Sequence, residues 1–183
     1  FTTIDSELQA AAQKSLKSNI EKYDIRHGYR GAESKIKYSE LLNSDLEYDL
    51  DISVKNIKRF LGNYYSINGN TPAVILEVSK DKIKVFSKEN QILDIALSDI
   101  LIKSQYYDVN YKKRIRDLNK ILSIGDVIRI KKSSGKWRLS QVPNVNGALI
   151  SINSNSGAIS ALSGGYDFRL SKFNRATQAK RQP

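Results

Sequence analysis

Three serine–lysine pairs stand three residues apart, Ser34/Lys37, Ser79/Lys82 and Ser133/Lys136. That is the spacing of a serine nucleophile whose proton is taken by a lysine one helical turn later. Such a pair works only with a helix beneath both residues. Ser34 falls in a linker, and the other two pairs fall in turns between strand-like runs, so all three read as chance matches and none is assigned a catalytic role. The single histidine, His27, has no second histidine and no cysteine to share a metal or relay a proton with, and reads as structural or exposed. The acidic run Asp45-Leu46-Glu47-Tyr48-Asp49-Leu50-Asp51 invites acid or metal chemistry. Glycosidase carboxylates, however, must be held about 5 to 9.5 Å apart across a substrate, and a hard-metal loop needs a turn glycine and a closing glutamate. Neither occurs here, and the alternation of Leu46, Tyr48, Leu50 and Ile52 reads as an apolar edge with a solvated acidic face.

Charge adds a second kind of candidate. The chain carries 30 basic and 19 acidic residues, net +11, with the excess in its second half: residues 103–138 hold 11 basic and 3 acidic side chains. A stripe such as Lys112-Lys113-Arg114-Ile115-Arg116 can contact nucleic acid, anionic lipid or an acidic polymer, and is more simply a solvated face. With no cysteine there is no disulfide and no thiolate metal site. The absence of methionine and the phenylalanine at position 1 imply that the native start lies elsewhere. No apolar run approaches the roughly 18 residues needed to span a bilayer. Nothing calls for a cofactor or a metal.

The elements that would carry these groups are legible in part. Leu8, Ala11, Ala12, Leu16, Ile20 and Tyr23 recur at helical steps behind Ser6 and Gln9, which have capping-box spacing. Arg26 to Gly31 reads as a linker, and Tyr38 to Leu46 and Val54 to Leu61 as two short helices. Five strand-like segments follow: Ala73–Ser79, Lys82–Ser87, Gln91–Leu97, Val127–Lys132 and Lys136–Val142. They are joined mostly by hairpin-length loops, with a helical pattern at Tyr111 to Leu122 between the third and fourth. Five strands with that interruption match the connectivity of an OB barrel. Alternation places Val74, Leu76, Val78, Ile83, Val85, Ile128, Ile130, Trp137 and Leu139 inside, and Lys84, Arg129 and Arg138 outside. Ala148 to Ile152 and Ala158 to Leu162, flanking Asn153-Ser154-Asn155-Ser156-Gly157, form a β-hairpin.

The tail and head carry a resemblance. GALISINSNSGAISALSGG followed by FNRATQAKRQP, with Thr2-Thr3-Ile4-Asp5, Leu8-Gln9, Tyr23-Asp24 and Arg26-His27-Gly28-Tyr29-Arg30-Gly31, resembles the class A penicillin-binding protein family. In the middle, Ser123-Ile124-Gly125-Asp126-Val127-Ile128-Arg129-Ile130 and Trp137-Arg138-Leu139 before Val142-Pro143 are similar to that family's OB-type insert. The resemblance implies a mainly β fold with helices, a five-stranded OB-like barrel inserted into an incomplete α/β transpeptidase domain. It assigns 1–31 to the N-terminal helix and linker, 32–143 to the insert, and 144–183 to the opening hairpin and helix approach. It implies a parent peptidoglycan synthase with glycosyltransferase and penicillin-sensitive D,D-transpeptidase activities. That parent would be anchored in the inner membrane with this part on the periplasmic face, and its S-x-x-K serine would follow Pro183. The chain itself is then expected to be no enzyme. Its partners would be peptidoglycan precursors and stem peptides through the parent, and a cell-wall regulatory protein docked on the insert, with no nucleic acid and no membrane segment. The rival is an independent basic OB module that binds single-stranded nucleic acid through Phe86, Tyr106, Tyr107 and Tyr111.

Overall fold

A computed structural model describes residues 2–37, 50–100, 106–108, 111–113 and 117–180. The expected helix over Tyr38 to Leu46 lies outside them. The chain forms two compact units, one of Phe1–Arg26 with Pro143–Pro183 and one of His27–Val142.

In the first unit, helix α1 spans Ser6–Arg26. Its cap is Asp5 rather than Ser6: Asp5 Oδ1 accepts from the backbone N–H groups of Glu7 and Leu8, both at 2.9 Å. Gln9 is therefore released from the capping box for other work, described below. The side buried is Ala12, Ile20 and Asp24, a stripe of four-residue steps, while Leu8 and Tyr23 stay largely exposed. This is narrower than the apolar periodicity suggests, because the partner is only a two-stranded ribbon. Strands β9 (Leu149–Ile152) and β10 (Ile159–Ser163) pair antiparallel, as the sequence indicates. Their turn is closed by Asn153, whose carbonyl accepts from Gly157 N–H at 2.8 Å and whose Oδ1 accepts from Asn155 and Ser156. Gly157 sits at φ +69°, a conformation that glycine adopts without strain.

The second unit is a sheet with helix on one face. Strands β1 (Ser34–Lys35), β2 (Thr71–Val78), β3 (Lys82–Ser87), β4 (Ile92–Ala96), β7 (Asp126–Ser133) and β8 (Lys136–Ser140) form one antiparallel sheet in the order β1-β7-β2-β3-β4. Strand β8 also pairs with β7. Strands β5 (Tyr106–Asp108) and β6 (Tyr111–Lys113) pair separately. All five expected strands are present, β3 with the expected bounds and the other four with ends shifted by one or two residues. A closed five-stranded barrel is not shown: among the described residues no ladder joins β4 to β8. Beyond Ala96 the chain leaves the strand for a 3₁₀ turn at Leu97–Asp99, held by Leu97 N–H donating to Asp81 O at 2.6 Å. The β4 to β8 gap is spanned by a Lys136–Asp99 ion pair at 3.1 Å.

Both faces of this sheet are buried. One core gathers Ala73, Ile75, Ile83, Val85, Ile95, Ile128, Ile130 and Leu139. The opposite face packs Val74, Phe86 and Val127 with Ile36 against Ile57 and Leu61 of α2 (Leu50–Gly62). Val74 and Leu76 thus face α2 and not the inner core. A β-bulge between Ile75 and Glu77 resets the alternation, so that Val78 returns to the first core. Phe86 and Arg129, expected outside, are 4% and 5% exposed, because the face they share is roofed by α2 and its neighbours. Leu50 and Asp51 are helical and not part of an extended edge; residues 45–49 of that run are outside the described set.

Two further expectations are corrected. The described residues of Tyr111 to Leu122 form no α-helix: 111–113 are β6, Leu118–Lys120 are a 3₁₀ turn with Asp117 Oδ1 accepting from Asn119 N–H at 3.1 Å, and 114–116 lie outside the described set. The apolar spacing there serves to plug one end of the core, with Leu118 and Leu122 buried. The segment Arg26 to Gly31 is more than a linker, since Tyr29 is buried in that same core.

Candidate functional site

The serine–lysine pairs are absorbed by local structure. Ser34 lies in β1 with its Oγ 2.5 Å from Tyr64 Oη. Ser79 Oγ donates to Lys82 O at 3.0 Å and accepts from Lys82 N–H at 3.2 Å, the hydrogen bonding of a turn. Ser133 and Lys136 face each other across the β7–β8 hairpin, and the Lys136 ammonium goes to Asp99. In none of them does a helix bring the lysine amine over the serine hydroxyl. His27 is exposed. Among the described residues no cluster of three metal-ligating side chains occurs.

The aromatic set proposed for nucleic acid is not assembled either. Phe86 is sealed under α2, where no base could reach its ring. Tyr106, Tyr107 and Tyr111 lie on the separate β5–β6 ribbon, where Asp108 pairs with Tyr111.

What the first unit does build is a fixed approach for the tail. Gln9 Nε2 donates to Leu162 O at 2.9 Å and Gln9 Oε1 accepts from Leu162 N–H at 2.8 Å, so one side-chain amide pairs the edge of β10 as a neighbouring strand would. Asp5 N–H donates to Ser160 O at 2.9 Å and Thr3 Oγ1 to Ile159 O at 2.7 Å along the same edge. Tyr166 is buried, its hydroxyl donating to Glu21 Oε1 at 2.7 Å and its N–H to Asn146 Oδ1 at 2.8 Å. Gly164 admits the returning chain: a Cβ there would lie 2.2 Å from Asn174 Oδ1. Arg175 N–H donates to Gly164 O at 2.9 Å. Beside this turn lies an open cleft of about 470 Å³ lined by Gln13, Lys17, Tyr166, Phe168 and Lys172. At its rim Arg169 hydrogen-bonds Asp167 and holds that carboxyl below its usual range. Ser163 and Ser171 also line the cleft, and Ser171 Oγ accepts from Phe173 N–H at 3.3 Å.

Sequence reasoning missed the ionic centre of the second unit. Arg129 donates from Nε and Nη2 to the two oxygens of Glu33 at 2.9 and 2.7 Å, and from Nη1 to Tyr65 O at 2.6 Å. This ties β7 to the segment before β1 and to the loop after α2. No local signal could reveal it, since the two partners are 96 residues apart.

The relation to known proteins follows the same division. The penicillin-binding protein OB-like domain model matches residues 29–145. The chain belongs to the penicillin-binding protein family. It is 34% identical over 186 residues to penicillin-binding protein 1A of Neisseria lactamica, covering 100% of this chain and 21% of that protein. It is 33% identical to penicillin-binding protein 1A of Escherichia coli K12, with the same coverage. The crystal structure of penicillin-binding protein 1A from Haemophilus influenzae superposes with a TM-score of 0.71 at 30% identity, covering 97% of this chain and 23% of that one. The chain therefore spans about a fifth of the length of the relatives it matches, and the OB-like domain match lies in its middle, at residues 29–145.

Proposed function

We propose that this chain is the OB-like insert and the opening edge of the transpeptidase domain of a bifunctional peptidoglycan synthase. In this reading residues 1–31 are the first helix and linker of the transpeptidase domain, 32–143 the insert, and 144–183 the hairpin and approach to the nucleophile helix. Strands β2, β3, β4, β7 and β8 carry the OB connectivity. The activities, the inner-membrane anchor and the periplasmic setting belong to the whole synthase. The observation that carries the reading is the tail lock: Gln9 and Tyr166 commit part-buried hydrogen bonds, and Gly164 a close approach to Asn174, to orienting a segment that has no chemistry of its own. Such precision fits a support for a following reactive element.

Labelling with a fluorescent penicillin tests it. Residues 1–183 are expected to form no adduct that survives denaturation, because acylation needs an activated serine and oxyanion donors. The natural protein extended through its downstream S-x-x-K segment is expected to give a labelled band. A label on the fragment, or none on the longer protein, refutes the reading. The nucleic-acid alternative has lost Phe86 to the core, and any oligonucleotide binding should be weak and vanish by about 150 mM salt.

A further inference from the structure

The sequence holds two Asn-Gly pairs, Asn68-Gly69 and Asn146-Gly147, each preceded by a β-branched residue, Ile67 and Val145. In such a pair the glycine nitrogen can attack the asparagine side-chain amide, because no side chain on the following residue crowds the ring that forms. Local sequence treats the two alike, and the fold does not. Asn68 and Gly69 are the centre of a tight turn, at φ +47° and +78°, closed by Ile67 N–H donating to Asn70 O at 3.1 Å and Asn70 N–H to Ile67 O at 2.9 Å. Ring closure there must turn the backbone and break those bonds. Asn146 is exposed and lies in no helix or strand. Its Oδ1 accepts from Gly147 N–H at 3.2 Å and from Tyr166 N–H at 2.8 Å. The Gly147 nitrogen is thus no more than a C=O bond length further from the carbon it would attack, and Tyr166 N–H already donates to the oxygen that takes up negative charge. Among the described residues the Asn146 Nδ2 amide, the leaving group, has no hydrogen-bond partner, and Gly147 N–H has no other acceptor.

We propose that Asn146 is a self-modification site that loosens the tail lock as the protein ages. The Gly147 nitrogen loses its proton to hydroxide and bonds to Asn146 Cγ; the Cγ–Nδ2 bond breaks and ammonia leaves, giving a succinimide. Water then opens either carbonyl of that ring, to aspartate or to isoaspartate, with no oxidant or cofactor. The two products act differently on the lock. Aspartate keeps an oxygen for Tyr166 N–H and sets a charge near Arg175, since a Cβ on Gly165 would lie 3.4 Å from both Asn146 Oδ1 and Arg175 Nη1. Isoaspartate adds a carbon to the main chain ahead of β9, where Gly147 has little slack: a Cβ there would meet Leu16 Cδ1 at 3.3 Å. It also draws the carbonyl that held Tyr166 into the main chain and releases that N–H. The chemistry stands apart from the penicillin-binding reading, and only the meaning of a loosened tail rests on it.

Residues 1–183, kept folded in mildly alkaline buffer, are followed by peptide mapping with mass spectrometry and by enzymatic methylation of isoaspartate. Asn146 is expected to convert about tenfold faster than Asn68, which must first open two turn hydrogen bonds. Its rate should rise about tenfold per pH unit, as the deprotonated nitrogen becomes that much commoner. In urea the two rates should converge. Asn146→Gln should abolish conversion at that position and leave Asn68 unchanged. After ion-exchange separation, the isoaspartyl chain should exchange its Tyr166 amide hydrogen at least about tenfold faster than the parent, while Asn146→Asp stays protected. Asn68 converting as fast as Asn146 in the folded chain, no conversion at Asn146, or slower conversion of Asn146 when folded than in urea would overturn the site. Tyr166 protection retained in the isoaspartyl chain would overturn the release. Neither readout uses penicillin, so failure of labelling and failure of this proposal are told apart.

Discussion

The Arg129–Glu33 pair offers the most direct test of how the second unit is held together. Arg129 is 5% exposed, and all three directions of its guanidinium are committed: two to the Glu33 carboxylate and one to the Tyr65 carbonyl, with the Tyr64 ring 5.9 Å from its centre. Glu33→Gln removes the counter-charge and leaves a buried cation. Breaking a buried pair from one side costs about 3–5 kcal/mol. Glu33 keeps 33% of its side chain in water, and solvent screening lowers the expected cost to about 2–3 kcal/mol. Arg129→Met is expected to cost a similar amount, because it strands the Tyr65 carbonyl. The double variant no longer buries an unmatched charge, so it should be less destabilised than the sum of the two by about 2 kcal/mol. Urea unfolding followed by Trp137 fluorescence measures all three, since that residue packs against the first core. If Glu33→Gln lies within about 0.5 kcal/mol of the parent, or the two changes are additive, the pair is not the fastening described.

Two further substitutions have opposite signs. Gly164→Ala should destabilise the first unit by about 2 kcal/mol or more, since its Cβ would sit 2.5 Å from Asn174 Cγ and 3.0 Å from Asn174 Cα, and a backbone atom cannot yield as a side-chain tip can. Thermal unfolding checks it, and an unchanged midpoint would mean that the tail does not pack on Gly164. Tyr29→Phe should stabilise by about 1 kcal/mol, because the Tyr29 hydroxyl is buried without a hydrogen-bond partner among the described residues and costs its desolvation. Burial, then the charges of Asp126 and Glu33, push the Tyr29 phenol well above its ordinary range. In the unfolded chain that phenol ionises near pH 10, so the stability tied to its neutral form is complete below about pH 10 and is lost as pH rises toward the folded value. Tyr29→Phe should flatten that alkaline decline, and identical pH curves for the two proteins would refute the assignment.

Much of this molecule is written in short-range pattern. The hairpin of β9 and β10 follows from two apolar runs around an Asn–Gly-type turn, α1 from its periodicity, and β3 from Lys82–Ser87 residue for residue. These elements are decided by neighbours within a few positions, which sequence displays. The tail and head motifs likewise point to the penicillin-binding family before any contact is known, and the whole-length similarity agrees.

Tertiary structure decided the rest, because the deciding partners are remote in sequence. Alternation alone could not assign the faces of β2, since α2 buries the second face and the bulge at Ile75–Glu77 shifts the phase midway. For the same reason Phe86 and Arg129 read as surface groups and are interior. The 3.6-residue spacing after Tyr111 describes a helix equally well as a ribbon followed by a capping turn, and only the closing of the core around Leu118 and Leu122 selects the second. Gln9 was free to finish a capping box until Asp5 took the cap, and the strand edge 153 residues away then claimed its amide. Local sequence determines α1, β3 and the β9–β10 hairpin; long-range burial determines which side of each element meets water, and whether an ambiguous apolar spacing becomes helix or turn.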